Sequence, residues 1–274
     1  MKNSNPPFFQ VLRFDAFVRY TIENDPNRLC NANCHTFALS ISVGFFGRNW
    51  WQLLGDSITG TRNLHGLSLD SAGVSTTPGP EGLNAWDFLG TQTSYVRITN
   101  DGTLNFGSSG WTIGTFFYQD NLQDGPIIEW RGKGSYGTHL WIYRNQLFLN
   151  LVPVGKSASS SFEAPMTGMW HFVGASYNAE TGDFFMWIDE KLFQKNLGKL
   201  TTDMNGDVYV GIRPSNPASH PLKARLAGMT LLKGAITPEE ISTFKAEVIR
   251  FGKVATPTIV PGTPSGRPLP VFFP

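Results

Sequence analysis

The sequence predicts an all-β fold, a sandwich or a barrel, closed by one short helix. Short apolar segments recur at regular spacing from about residue 50 to residue 249, and Gly, Asn, Asp and Pro turns separate them. The chain has 29 Gly and 21 Phe, which favours strands and tight turns over helices. Only residues 235–249 combine a helix-start signal with a helical apolar pattern.

Eleven strands are predicted from their β-branched and aromatic content. They are residues 51–54, 85–88, 95–98, 111–118, 125–130, 139–143, 146–151, 169–177, 183–188, 207–212 and 223–232. Arg144 and Asn145 form a predicted tight hairpin turn, and residues 178–182 form a longer one. Both faces of "WHFVGASY" and "DFFMWI" are largely apolar, which predicts strands buried on both sides.

The helix prediction rests on its first turn. Thr237 is the expected N-cap, Pro238 the first helical residue, and Glu240 completes a capping box. Ile241, Phe244 and Val248 then share one face, so an amphipathic helix should close the domain.

The composition divides the chain into three parts. Residues 1–48 form an N-terminal segment of unclear affiliation, residues 49–250 the main domain, and residues 251–274 a Pro-rich tail. No run of 18 apolar residues occurs, and the first residues do not lead into a signal-peptide pattern. With 22 Lys and Arg against 21 Asp and Glu, and no basic block, nucleic acid and membrane insertion are not expected.

The two cysteines leave two alternatives open. Cys30 and Cys34 either form a small-loop disulfide or stay reduced. Because the five histidines are scattered and no second Cys pair occurs, the sequence predicts no zinc site.

The patterns of common catalytic sites are missing or fall in the wrong context. "GKGSYG", residues 132–137, matches G-x-G-x-x-G, but a strand-like segment follows it, so we interpret it as a hairpin loop. Neither G-x-S-x-G nor H-E-x-x-H occurs.

The carboxylates also argue against catalysis. Asp189 and Glu190 are adjacent, so on a strand they would point to opposite faces. Glu180 and Asp183 flank a turn, where exposure is expected. We interpret His171 as a core or edge residue bonded to a backbone carbonyl rather than a general base.

Residues 50–245 resemble a known family. "MWHFVGASYNAETGDFFMWIDEKL", "GLNAWDFLGTQTSYVRI", "WTIGTFFYQD" and "DVYVGIRP…KARLAGMTLLKGAITPEEI" are similar, in order, to the conserved blocks of laminin G-like domains. These belong to the concanavalin A-like lectin and glucanase superfamily. The resemblance implies a two-sheet antiparallel jelly-roll sandwich with one short C-terminal helix. "DEK" replaces the family's D-G turn, and no cysteine lies in the domain.

The resemblance also implies a function. Such domains serve secreted, extracellular recognition and adhesion, so the expected function is non-catalytic, lectin-like binding of a glycan or a protein. Some relatives bind calcium on rim loops; here only Asp120, Asp124 and Asn216 match by placement, so no cofactor is assigned and calcium stays open.

Four residues are the candidate ligand-binding groups, because rings stack on sugars and guanidinium groups match sulfates and carboxylates. They are Arg131, Lys133, Tyr136 and Arg144. Two rival functions are a structural matrix or scaffold component of a larger protein and, less favoured, a glycoside hydrolase. The E-x-D-x-x-E motif of laminarinase-type glucanases is absent.

Overall fold

Two antiparallel sheets pack face to face in the computed structural model, which describes residues 50–53, 69–132, 137–152 and 158–254. The strands are β1 (Trp50–Leu53), β2 (Leu69–Ala72), β3 (Val74–Pro78), β4 (Asn84–Leu89), β5 (Tyr95–Ile98), β6 (Trp111–Tyr118), β7 (Gly125–Trp130), β8 (His139–Tyr143), β9 (Gln146–Leu151), β10 (Ala158–Glu163), β11 (His171–Tyr177), β12 (Asp183–Ile188), β13 (Lys191–Asn196), β14 (Val208–Val210) and β15 (Lys223–Lys233). The helix is α1 (Ile241–Val254). The predicted all-β sandwich is therefore confirmed.

The first sheet has the strand order β13-β12-β11-β6-β15-β4-β3, with β1 paired to the second half of β15. The second sheet has the order β10-β9-β8-β7-β14-β5-β2. All the strand pairs between the described residues are antiparallel, which fits a jelly roll.

The main core lies between the two sheets. Ile113 and Phe117 of the first sheet and Ile128, Trp130 and Leu140 of the second are at most 1% exposed and belong to one contact cluster. Burying each such side chain contributes about 1.5–3 kcal/mol relative to exposing it. This layer holds the sandwich together.

A second core lies on the outer face of the first sheet, under α1. Phe244 and Val248 of the helix are buried against Phe116, Phe172 and Trp187. The predicted apolar helix face is thus confirmed, and it explains why β11 and β12 are apolar on both faces. The second sheet carries no described helix on its own outer face, so the two sheets differ in what covers them.

The helix boundaries differ slightly from the prediction. Pro238–Glu240 form a 3-10 turn, and the Thr237 backbone N–H donates to the Glu240 carboxylate at 2.8 Å, as the capping box requires. The helix then continues to Val254, four residues past Arg250, the predicted end of the main domain. No helix in the described ranges is long and apolar enough to span a lipid bilayer.

Both turn predictions are confirmed. Arg144 and Asn145 have φ values of 50° and 59° and connect β8 to β9, as in a two-residue type I′ hairpin. The 178–182 turn closes through a 2.8 Å bond from Gly182 N–H to Asn178 O. Residues 133–136 of "GKGSYG" lie outside the described residues, but the next described element is the strand β8, antiparallel to β7, and not the helix that a dinucleotide fold requires.

Candidate functional site

The outer face of the second sheet carries polar and aromatic side chains instead of a second apolar layer. Leu140 and Ile142 of β8 face the main core, so alternation turns His139, Trp141 and Tyr143 outward. One row of residues lies in register across all seven strands: Asp70, Arg97, Tyr209, Glu129, His139, Asn150 and Ser159. Glu129, His139 and Asn150 in the middle of this row are buried, whereas its outer members are at least partly exposed.

Two guanidinium groups lie over neighbouring rings of this face. The Arg213 guanidinium is 4.4 Å from the centroid of the Trp141 ring, and that of Arg144 is 5.2 Å from the Tyr143 ring. The two rings contact each other at 6.3 Å. We call this the basic aromatic cluster, and with two further rings it consists of Trp141, Tyr143, Arg144, Phe148, Arg213 and His220.

One side of the basic aromatic cluster is exposed to solvent, and the other side is buried. Arg144 and His220 are exposed and Tyr143 and Phe148 are half-buried, whereas Trp141 is 3% exposed. The Arg144 backbone N–H donates to Asp124 Oδ1 at 2.8 Å, which fixes the turn. Its guanidinium makes no ion pair within the described ranges, so that cation can meet a ligand.

A buried carboxylate lies beneath the cluster. Glu129 is 0% exposed, and its Oε2 lies 3.7 Å from Arg213 Nε. Burial raises the pKa of the Glu129 carboxyl to about 7, and the attraction of Arg213 offsets only part of that effect. Opposite it, burial lowers the pKa of His139 to about 4, while its Nδ1 lies 2.8 Å from Gly137 O.

Of the four sequence-predicted residues, the structure describes Arg131 and Arg144, and these two lie apart. Arg131 is exposed and follows the last residue of β7, whereas Arg144 lies at the opposite end of β8. The five residues of β8 separate them by roughly 17 Å. Lys133 and Tyr136 lie outside the described residues, as do Cys30 and Cys34.

The sequence did not indicate that Arg213, Trp141 and Glu129 belong to a site. Tyr143 precedes Arg144, and alternation along β8 could have identified it as outward-facing. Nothing in the local sequence connects Arg213, which follows β14, with Trp141 on β8. Only the strand order, in which β7 lies between β14 and β8, brings them together.

Asp189 contacts β11 with its carboxylate, a role that the sequence did not indicate. This residue starts the β12–β13 turn with φ 53°, and its carboxylate turns back onto β11. Asp189 Oδ2 lies 2.5 Å from His171 Nδ1, and Oδ1 accepts the Phe172 backbone N–H at 2.8 Å. His171 Nε2 lies 3.1 Å from Met166 O, so the expected backbone carbonyl contact is confirmed.

A cleft of about 700 Å³ lies beside this pair, between α1 and the β12–β13 hairpin. Met166, 65% exposed, and Leu192, 38% exposed, are among its apolar walls. Two of its acids are engaged, Asp189 with His171 and Glu163 with Lys191 at 2.7 Å. Both His171 ring nitrogens lie within hydrogen-bonding distance of oxygen atoms, which fixes the orientation of the ring.

No metal centre is evident in the described ranges. They contain no group of three or more His, Cys, Asp or Glu side chains arranged to hold a metal ion. Asp120 accepts the Tyr118 hydroxyl at 2.9 Å and lies 3.6 Å from Arg225, and Asp124 holds the Arg144 turn. Calcium binding therefore stays an open prediction.

Comparisons with known proteins give similarity of fold alone. No protein-family model and no curated protein sequence matches this chain. Among solved structures, the binding domain of Paraclostridial Mosquitocidal Protein 1 matches with 14% identity and a TM-score of 0.59, over 72% of this chain and 51% of that one.

Two structures of the binding domain of botulinum neurotoxin DC also match, each with 15% identity. The one in complex with rat synaptotagmin II has a TM-score of 0.55 and covers 72% of this chain and 51% of that one. The one in complex with SialylT has a TM-score of 0.50, and the match covers 67% of this chain and 47% of that one. This chain therefore has a β-sandwich fold similar to part of these binding domains and spans about half of their length.

Proposed function

We propose that this chain is a non-catalytic recognition module that binds an anionic glycan through the basic aromatic cluster. The observation that carries the proposal is the pair of guanidinium groups stacked on adjacent rings of an outward-facing sheet surface, Arg144 on Tyr143 and Arg213 on Trp141. A planar guanidinium donates two parallel hydrogen bonds to a sulfate or carboxylate. A half-buried ring beside it can stack on the apolar face of a sugar.

The fold comparisons support a binding function. The matched structures are binding domains, and those in complexes hold SialylT or rat synaptotagmin II. The laminin G-like resemblance of residues 50–245 points the same way. We extend the proposal to a secreted module of that superfamily, because its members recognise extracellular glycans and proteins.

The chain offers a matched control for the central test. Arg225 also stacks on a tyrosine, Tyr118 at 4.9 Å, but it belongs to the first sheet. We expect Arg144→Ala to elute from a heparin column at lower salt than the unchanged protein, and Arg225→Ala to elute with the unchanged protein. Equal retention of all three proteins, or equal loss in both variants, would contradict the assignment to this cluster.

A glycan array defines the ligand class. Sulfated or sialylated glycans should bind and their neutral counterparts should not, and Tyr143→Ala should lower the signal by removing the stacking surface. If neutral glycans bind as well as charged ones, the two arginines do not recognise the anionic group of the ligand.

A protein ligand is the second candidate, and exposed apolar side chains favour it. Met166 and Leu192 line the cleft beside α1, and Met169, 47% exposed, follows on the same loop as Met166. Exposed apolar groups at a cleft are typical of protein-binding surfaces. Binding to cells that persists after enzymatic removal of sulfated and sialylated glycans, and is lost in Met166→Glu, would favour the protein ligand.

A further inference from the structure

Glu129 is a buried acid, and its polar neighbours Trp141 and Arg213 only partly offset the cost of burying its charge. It is 0% exposed, and neither carboxylate oxygen has a hydrogen-bond partner in the described part of the chain. The 3.7 Å separation from Arg213 Nε is too long for a hydrogen bond. An ionised carboxylate in such a place is costly, so the neutral acid suits this geometry.

The Arg213 guanidinium lies between two groups that attract it, the Trp141 ring and the Glu129 carboxyl. Its guanidinium is over the Trp141 ring at 4.4 Å, and its side chain is 26% exposed, so part of it reaches the surface of the cluster. Glu129 lies on the inner side. A neutral carboxyl attracts the guanidinium weakly, whereas an ionised carboxylate at the same place attracts it strongly.

We propose that the protonation state of Glu129 controls the position of Arg213, and through it the affinity of the basic aromatic cluster for anionic groups. When Glu129 is protonated, Arg213 stays on Trp141 and meets the ligand. When Glu129 loses its proton to solvent, the carboxylate draws the guanidinium inward and neutralises it. The effect on ligand affinity rests on the proposed function, but the movement of Arg213 does not.

The groups around Glu129 set the direction and range of the effect. His139 faces it from β8 and Tyr209 from β14, and Arg213 follows β14. Arg97 is one strand further and is paired with Asp207 at 2.7 Å. Because burial lowers the pKa of His139 to about 4, this ring stays neutral while Glu129, with a pKa raised to about 7, titrates. Anion affinity should therefore be higher at pH 6 than at pH 8.

The movement can be measured without any ligand. In the full chain labelled with ¹⁵N, the Arg213 Nε–Hε resonance should shift with pH with a midpoint near 7. In Glu129→Gln that titration should vanish, while the Arg225 resonance, on the other sheet, should be the same in both proteins. An Arg213 resonance that does not move with pH, or that titrates equally in Glu129→Gln, would overturn the proposal.

Heparin tests the consequence for binding, because its sulfates stay ionised across this pH range. Affinity should fall more steeply from pH 6 to pH 8 in the unchanged protein than in Glu129→Gln, and the difference should be roughly threefold, as expected for one partly exposed ion pair. If heparin does not bind at either pH while the Arg213 resonance titrates, the proposed function fails, but the control of Arg213 by Glu129 stands. If heparin binds but the Arg213 resonance does not change with pH, the control of Arg213 by Glu129 is wrong and the proposed function stands.

Discussion

Glu129 and His139 lie directly opposite each other on β7 and β8, and burial disfavours the charged form of both side chains. The pKa of the acid is raised to about 7 and that of the base is lowered to about 4, so between these values both are neutral. Their effects on stability therefore have opposite signs.

The first prediction concerns the pH dependence of folding. Between the ordinary glutamate pKa of 4.5 and the folded value of about 7, the folded state holds a proton that the unfolded chain has released. The free energy of unfolding should therefore decrease by roughly 3 kcal/mol over this range. Above pH 7 it should stay level. His139 acts in the other direction, because its neutral form adds stability that is lost as pH falls from 6.5 towards 4.

Urea unfolding from pH 4 to pH 8 measures both effects. In Glu129→Gln the decrease between pH 4.5 and 7 should disappear, so that stability rises with pH up to about 6.5 and then stays level. The difference between the two proteins isolates Glu129 from the other titrating groups. Parallel curves for the variant and the unchanged protein would show that this carboxyl is not held neutral by the fold.

The second prediction concerns the Asp189 contact with β11. Asp189→Ala removes the acceptor of the Phe172 N–H and the partner of His171, so the free energy of unfolding should fall by about 2 kcal/mol. Asp189→Asn keeps one acceptor oxygen and tolerates the positive φ, so its loss should be about half as large. If Asp189→Ala unfolded at the same temperature as the unchanged protein, the contacts of the carboxylate with His171 and Phe172 would contribute nothing to stability.

The third prediction concerns the close approach of two strands. Gly174 lies opposite Gly114, and a Cβ at Gly174 would lie 2.1 Å from Trp187 Cζ2 and 2.2 Å from the Ile113 carbonyl oxygen. Because backbone cannot give way, Gly174→Ala should cost at least ~3 kcal/mol or prevent folding. Gly168→Ala is the control: its Cβ would meet nothing within 4 Å, and only the strain of φ 79° remains, about 1–2 kcal/mol. Calorimetry that ranks the control as the more damaging change would refute this account.

The fourth prediction concerns the docking of α1. Phe244 is 1% exposed, and its ring lies 5.9 Å from that of Phe172 and 6.3 Å from that of Trp187. Phe244→Ala should cost about 3–5 kcal/mol, whereas Thr243→Ala, on the exposed side of the helix, should change stability by less than about 0.5 kcal/mol. Amide exchange should become faster throughout α1 in the first variant alone; unchanged protection there would show that the helix is held by other contacts.

The sequence was sufficient for the interior strands and for the helix. β6, β7, β8, β9 and β12 have the predicted bounds, because a strand buried on one or both faces must consist of apolar residues. β2, β3, β10 and β13 were not predicted, and these four are the edge strands of the two sheets. Edge strands such as "VSTTP" and "KLFQKN" are largely exposed, so their polar sequences lack the alternation that marks a strand.

The sequence by itself therefore determined the fold class, the turns and the capped helix, since each depends on the local conformational preference and burial of neighbouring residues. It also indicated Arg144 as a surface cation beside an aromatic strand. Only the tertiary structure decided which groups meet. Glu129, Trp141 and Arg213 are distant in the chain, and the order β14-β7-β8 brings them together. The same order determines the environment of Glu129, because a side chain becomes buried only when the neighbouring strands and the segment after β14 surround it.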